Sequence, residues 1–372
     1  MNHKEMVLVT GGAGFIGSHL VDALIKKGYK VRVIDNLTRP THNGKLPDYF
    51  NKKAEFIKGD VRKKRDLIKV LKGVDYVFHL AGYMDYHLDF STFIDTNIKS
   101  SALIYEVILQ KKLNVKKIIV ISSQSVYGEG KFLCPKHGVF YAEPRSEEQL
   151  KKHQWKIVCP KDGKPAKLLP EEETDEFRPQ IPYGISKVAT ETLSMNLGKT
   201  FKIPTVVIRF SIVQGSHQSF RHFNSGAIRA FCVRALAGFP MPMIEDGLQF
   251  RDFVNVHDAV DALLLVMKNR KADYEIFNVG SGKNTTIRQL AKTVSKITKS
   301  SVEAEVTQEY RLNTPRDSSM SIAKIKKLGF SPKRSLEDNV KEYVEWVKFH
   351  PEAIKFWNKT RREMRKKKIL KG

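Results

Sequence analysis

The chain has 372 residues, 41% hydrophobic and 28% charged, a composition that fits a soluble α/β protein with room for a large core. Three cysteines exclude a disulfide framework, no apolar run approaches the ~20 residues of a membrane span, and the polar opening at residues 1–5 excludes a signal peptide, so a cytoplasmic location is expected. The net charge of +25 raises a nucleic-acid partner; the basic residues are spread along the chain, however, and the one dense cluster, Arg361, Arg362, Arg365, Lys366, Lys367 and Lys368, reads instead as a solvated tail or one ordered against something anionic.

In chain order, the first half alternates apolar runs with amphipathic stretches. Strands are predicted over 6–10, 30–34, 54–58, 76–80, 117–122 and 205–210, and helices over 15–27, 64–71, 92–112 and 184–200. That alternation predicts an α/β fold with a Rossmann-type, doubly wound parallel sheet, and runs such as Ile118-Ile119-Val120-Ile121 suit strands covered on both faces. Past residue 210 the rhythm weakens, with helices predicted over 257–267, 286–298, 322–328 and 336–349. The expected division is a sheet domain over 1–210, a smaller lobe over 211–350 interleaved with it, and a basic tail over 351–372. Residues 129–181, rich in Lys, Pro and Glu, read as an insertion. Cys232, in the apolar run Ala230-Phe231-Cys232-Val233, is expected in the core.

Between the first strand and first helix lies Thr10-Gly11-Gly12-Ala13-Gly14-Phe15-Ile16-Gly17. It fits Gly-x-Gly-x-x-Gly from Gly12 and Gly-x-x-Gly-x-x-Gly from Gly11. The early glycines permit a tight turn and close approach of a pyrophosphate to backbone amides, and Gly17 lets the helix pack on the strand. Asp35 ends the second strand, followed by Asn36. A carboxylate there accepts ribose hydroxyls of NAD and repels the extra phosphate of NADP, so NAD is the expected cofactor. Asp60-Val61 and Leu80-Ala81-Gly82 lie at the carboxyl ends of the third and fourth strands, where such sheets bind ligands.

Tyr183 and Lys187 are four apart at the start of a predicted helix, so both side chains share one face. A nearby ammonium would lower the phenol from its usual pKa of about 10 and let Tyr183 act as a base. The fifth strand feeds into Ser122-Ser123-Gln124-Ser125-Val126-Tyr127-Gly128, where a hydroxyl could hold a substrate oxygen.

These three motifs together resemble the extended short-chain dehydrogenase/reductase family, over nearly the whole chain. The resemblance implies a nucleotide-sugar epimerase or dehydratase. It makes Ser123 the substrate hydroxyl, Tyr183 the acid/base and Lys187 its partner and a nicotinamide-ribose ligand. It further implies cofactor contacts from Gly11, Gly14, Phe15, Ile16, Gly17, Asp35, Asn36, Asp60, Val61, Leu80, Ala81, Gly82 and Asn97, and a homodimer formed through the 92–112 and 184–200 helices. For the substrate, a nucleotide-diphosphate sugar, it implies Arg251 and Arg316 on the diphosphate beside Ser123 and Ser125. The family's usual Asn after the sixth strand falls on Ile212, with Ser211 as its substitute. Dehydratases of the family carry acids just after the hydroxyl residue; Gln124 and Ser125 stand there, which favours epimerisation, most commonly at C4. A non-catalytic NAD-binding interaction protein is the reading from a different class, and intact Ser123, Tyr183 and Lys187 argue against it.

The insertion repeats Cys-Pro-Lys-x-Gly at Cys134 and at Cys159. Each knuckle offers two ligands two residues apart, giving the set Cys134, His137, Cys159 and Asp162. Structural zinc, a knuckle that folds without metal and a disulfide all stand open. The resemblance includes a branch near dTDP-L-rhamnose 4-epimerase whose similar insertion normally has Cys at the fourth place.

Overall fold

A computed structural model describes residues 4–39, 41–85, 89–221 and 226–372, the side chain of Thr360 excepted; residues 1–3 of the polar opening lie outside it. Among the described residues nine strands occur up to residue 210: β1 Met6–Thr10, β2 Lys30–Asp35, β3 Glu55–Lys58, β4 Tyr76–His79, β5 Lys117–Ser123, β6 Lys131–Cys134, β7 Gly138–Tyr141, β8 Lys167–Leu169 and β9 Thr205–Phe210. The main sheet has seven parallel strands, ordered from one edge as Ile276–Val279, β9, β5, β4, β1, β2 and β3. Strand order reverses between β1 and β4, which opens a crevice at their carboxyl ends.

Alternate residues of each strand face opposite layers. Val7, Val9, Val31, Val33, Ile119 and Ile121 pack under α1 (Phe15–Lys26) and the later helix Val256–Lys268, whereas Leu8, Ile34, Ile118 and Val120 pack under α2 (Lys64–Leu71) and α4 (Ser100–Gln110). Each such side chain, fully buried, contributes about 1.5–3 kcal/mol. The predicted 92–112 helix is three segments: α3 (Phe90–Phe93), a π-helical stretch Ile94–Lys99, and α4. Beyond α5 (Glu147–Lys151) and α6 (Pro182–Thr200) come α7 (Gly226–Leu236), α8 (Val256–Lys268), α9 (Ile287–Thr298), α10 (Ala323–Lys326), α11 (Leu336–Val347) and α12 (Ala353–Lys366). α8 lies on the α1 face of the main sheet, while α7, α9, α11 and α12 form a second core in which Cys232 is buried. The insertion forms its own antiparallel sheet, ordered β7, β6, β8.

The basic tail is a helix rather than a solvated run. Trp357 and Met364 of α12 are buried, and Arg361 (2.6 Å) and Arg365 (2.7 Å) grip the buried Glu309. The anion against which the tail is ordered belongs to the chain itself.

Candidate active site

The glycine turn is built by close contacts that only hydrogen side chains allow. Gly11 has φ of +69°, and a Cβ there would stand 2.9 Å from the Ala81 nitrogen. One on Gly17 would collide with the Gly11 carbonyl, closing the approach of α1 to the turn. The Gly11 carbonyl accepts from Gly14 N (3.1 Å), and among the described residues no side chain caps α1. The amides of Phe15 and Ile16 therefore open the helix towards the crevice without a side-chain competitor. Asp35 is buried at the end of β2, where its carboxylate accepts from Ala13 N (3.2 Å) and Leu37 N (2.9 Å). Next to it Asn36 hydrogen-bonds Asp60, whose carboxylate is also held by Arg62 (2.6 Å), and these bonds keep it below the usual carboxylate range against the opposing pull of burial. The Val61 side chain goes into the core under α2.

The fourth-strand end is fixed from below. Thr10 Oγ1 accepts from Ala81 N (3.1 Å) and meets His79 Nδ1 (2.8 Å), and His79 Nε2 meets Ser100 Oγ (2.9 Å). Burial, then the charge of Lys187, pushes His79 down to about 3, so its ring is neutral. Leu80 N donates to the Thr10 carbonyl (3.2 Å), and Gly82 leaves space between Asn97 and Lys187: a Cβ there would lie 3.4 Å from Asn97 Oδ1 and 3.5 Å from Lys187 Nζ. Asn97 is buried in the π-helical stretch, where its side chain takes Tyr83 N (2.7 Å) and donates to Ser186 Oγ (2.8 Å).

Tyr183 and Lys187 share one helix face, as their four-residue spacing predicts, and Ser123, the residue the family resemblance implies, lies against them at the end of β5. The Tyr183 hydroxyl is hydrogen-bonded to Ser123, whose Oγ also lies 3.1 Å from Ser125 Oγ. Lys187 Nζ lies 5.7 Å from the Tyr183 ring centroid and donates to the Ile121 carbonyl (2.8 Å). The expected depression of the phenol is not found. Burial raises Tyr183 to about 12 and the Ser123 bond offsets this only in part, because Lys187 lies over the ring face and spends its hydrogen bond on Ile121. Burial likewise pushes Lys187 down to about 8, opposed by Glu191 one helical turn on. Glu191 is itself held by Arg209 (2.8 Å) and Ser122 in a buried network. Sequence reasoning missed Glu191, although it continues the Tyr183–Lys187 helix face at the next four-residue step. Thr10 and Ser100 carried no comparable signal.

The substrate-side expectations divide. The Gln124 side chain accepts from Ser318 Oγ (2.8 Å), which brings the 313–318 segment to the end of β5. Arg251 donates to the carbonyls of Phe250 (2.7 Å), Arg316 (2.8 Å) and Pro315 (3.1 Å). Arg316 is buried, with its terminal nitrogens on Glu245 (2.8 Å) and Asp246 (2.8 and 2.9 Å), so in this structure carboxylates occupy its donor fork. Ser211 does not meet the site: it is buried and gives its hydroxyl to Asp252 (3.3 Å), a carboxylate that also takes Ser281 N and Gly282 N.

Cys134, His137, Cys159 and Asp162 do come together, with their ligand atoms all within 4.8 Å of one another. Both cysteines are buried free thiols, not a disulfide.

Comparison with known proteins adds the following. A family model described as the NAD dependent epimerase/dehydratase family matches residues 7–153 and 159–280. A dTDP-L-rhamnose 4-epimerase of Burkholderia thailandensis is 28% identical over 92% of this chain and 95% of its own. The structure of UDP-glucose 4-epimerase from Thermotoga maritima with UDP-glucose superposes with a TM-score of 0.75 at 31% identity, covering 92% of this chain and 99% of that one. A UDP-glucuronic acid 4-epimerase from Bacillus cereus, in complex with UDP-glucuronic acid and NAD, gives 0.74 at 27% over 92% and 99%.

Proposed function

The chain belongs to the NAD dependent epimerase/dehydratase family, and we propose that it inverts one carbon, C4, of a nucleotide-diphosphate sugar through a keto intermediate, with NAD retained between turnovers. The observation that carries this reading is the meeting of Ser123, Tyr183 and Lys187 at the carboxyl end of β5, beside a glycine turn bare of side chains. That turn, the uncapped end of α1 and the Asp35 carboxylate fit NAD: amides for the pyrophosphate, and an acid that accepts ribose hydroxyls. Bound NAD would supply the hydride acceptor and, once reduced, the hydride donor. The Ser123 hydroxyl holds the reacting oxygen, Tyr183 Oη takes its proton and gives it back, and Lys187 carries the balancing charge. Gln124, engaged by Ser318, and Ser125 put no carboxylate beside Ser123 for the second proton transfer that loss of water needs.

In this reading residues 1–210 carry NAD, 211–350 carry the sugar nucleotide with Arg251 facing its diphosphate and Arg316 joining it by leaving Glu245 and Asp246, two copies pair through the α3–α4 and α6 helices, and the knuckle of the insertion holds one structural zinc. The test is incubation of the purified protein with UDP-, dTDP-, GDP- and CDP-sugars, followed by chromatography and mass spectrometry. A new peak of unchanged mass is expected, and Tyr183→Phe should cut its rate at least about 100-fold while leaving NAD bound. A product lighter by one water would make the protein a dehydratase. Turnover undiminished in Tyr183→Phe would remove the assigned acid/base.

A further inference from the structure

The insertion is too small to hold its own shape. Its strands are three or four residues long, and the only fully buried side chains of its own apolar cluster are Phe132, Ala142 and Ile157. At one end of this sheet the two knuckles meet. Cys134 ends β6, His137 lies in the β6–β7 turn, and Cys159 and Asp162 sit in a turn closed by Gly163 N on the Cys159 carbonyl (2.9 Å). His137 Nδ1 lies 3.5 Å from Cys134 Sγ, 3.4 Å from Cys159 Sγ and 3.6 Å from an Asp162 carboxylate oxygen. Zinc bonds of about 2.3 Å to sulfur and about 2.0–2.2 Å to nitrogen and oxygen, set at the tetrahedral angle, separate such ligand atoms by about 3.4–3.6 Å. The three distances from His137 match those edges, and all four donors lie within 4.8 Å of one another, close enough for one zinc to draw them together.

What lies between the knuckles gives the site a consequence. Residues 135–158 form a loop whose ends the metal would join, and the loop reaches the second lobe. Its Arg145 makes a two-pronged bond to Glu245 (2.9 and 3.1 Å) and donates to the Thr314 carbonyl (3.1 Å). Its Leu150 and Trp155 are buried against Tyr310. Glu245 also receives Arg316, and Thr314 stands two residues before it. We propose that the zinc is a clasp for the substrate wall: by closing the 135–158 loop it holds Arg145 and Trp155 against the 310–316 segment, and so sets the affinity for the nucleoside diphosphate while leaving NAD retention unchanged. This rests on the zinc reading and on the sugar-nucleotide reading of the second lobe.

The experiment uses the full chain purified without a metal-binding tag. Zinc is counted by mass spectrometry, retained NAD by its release on denaturation, and affinity by calorimetry with UDP, dTDP, GDP and CDP. One zinc per chain is expected. Cys159→Ser should lose it, keep its NAD and bind the preferred nucleoside diphosphate about tenfold more weakly, the loss of roughly one hydrogen bond. Because that variant could unfold, the wild type is also stripped with a chelator, and adding zinc back should restore the affinity. Asp162→Cys, with a third thiolate, should hold zinc more firmly against the chelator. A wild type that neither carries nor takes up zinc would overturn the metal reading, and one that binds none of the four diphosphates would overturn the substrate reading. Zinc present, with nucleotide affinity the same before and after stripping, would overturn the clasp alone.

Discussion

Lys187 and Tyr183 were legible in the sequence because a helix repeats its face every four residues, and nothing else was needed to bring them together. Their protonation was not legible. It depends on how much water the cleft excludes and on which acceptor the ammonium chooses, the Ile121 carbonyl, and both are properties of the packed molecule. Glu171 shows the same limit at a position the sequence left unmarked. It lies in the insertion, buried against the second lobe, where its main chain bonds Ser319 and Ser321, and its Oε2 has no hydrogen-bond partner among the described residues. Burial pushes its carboxyl from 4.5 up to about 8. Between those values the folded chain keeps a proton that the unfolded chain has released, so stability falls as pH rises through the window. Glu171→Gln removes that loss. Its stability should match the wild type near pH 4.5 and exceed it by about 4–5 kcal/mol at pH 8.5, read from urea unfolding at both values. An equal pH slope in the two proteins would show that Glu171 is ionised in the fold.

Elements were legible where an apolar run had clear ends. The predicted 6–10, 64–71 and 205–210 segments are the observed β1, α2 and β9. The seventh sheet strand, Ile276–Val279, was missed because it is four residues long with Asn278 inside; that side chain is buried, accepting from Tyr127 (2.7 Å) and donating to the Glu171 carbonyl (3.1 Å). Periodicity also did not reveal the π-helical stretch, whose extra residue per turn alters the face that holds Asn97. Helix α12 was hidden by its charge, since six basic residues outweigh Trp357 and Met364 in any reading of composition. Its anchor is testable. Arg361 and Arg365 hold the Glu309 carboxyl below its ordinary value of 4.5 against the opposing effect of burial, so the bond stabilises the fold above that value and fades as pH falls. Glu309→Gln should therefore cost about 1–2 kcal/mol at pH 7, with the deficit shrinking towards pH 3 in calorimetric scans. A full deficit that persists in acid would assign it to packing and not to charge.

At the scale of the molecule, the two halves of the chain share one core. Helix α8 and the strand Ile276–Val279, both from beyond residue 210, complete the sheet that the first half begins, so a boundary drawn at 210 divides roles more than cores. This arrangement leaves apolar side chains uncovered on α3, the π-helical stretch and α6. Phe90, Ile94 and Ile185 are 55%, 53% and 52% exposed, the first two one helical turn apart and the third on α6, which packs against both α3 and the π-helical stretch. Apolar side chains exposed on adjoining helices commonly mark an interface between protein chains. The same helices carry Asn97, Tyr183 and Lys187, so pairing there would brace the catalytic face of each copy from behind. Sedimentation velocity should find a species of twice the 42.5 kDa chain mass. The double variant Phe90→Asp, Ile94→Asp should shift it to the monomer, because two buried charges opposing their symmetry mates outweigh the area gained. A wild type that sediments as a 42.5 kDa monomer up to high micromolar concentration would refute the pairing and leave this apolar surface for some other partner.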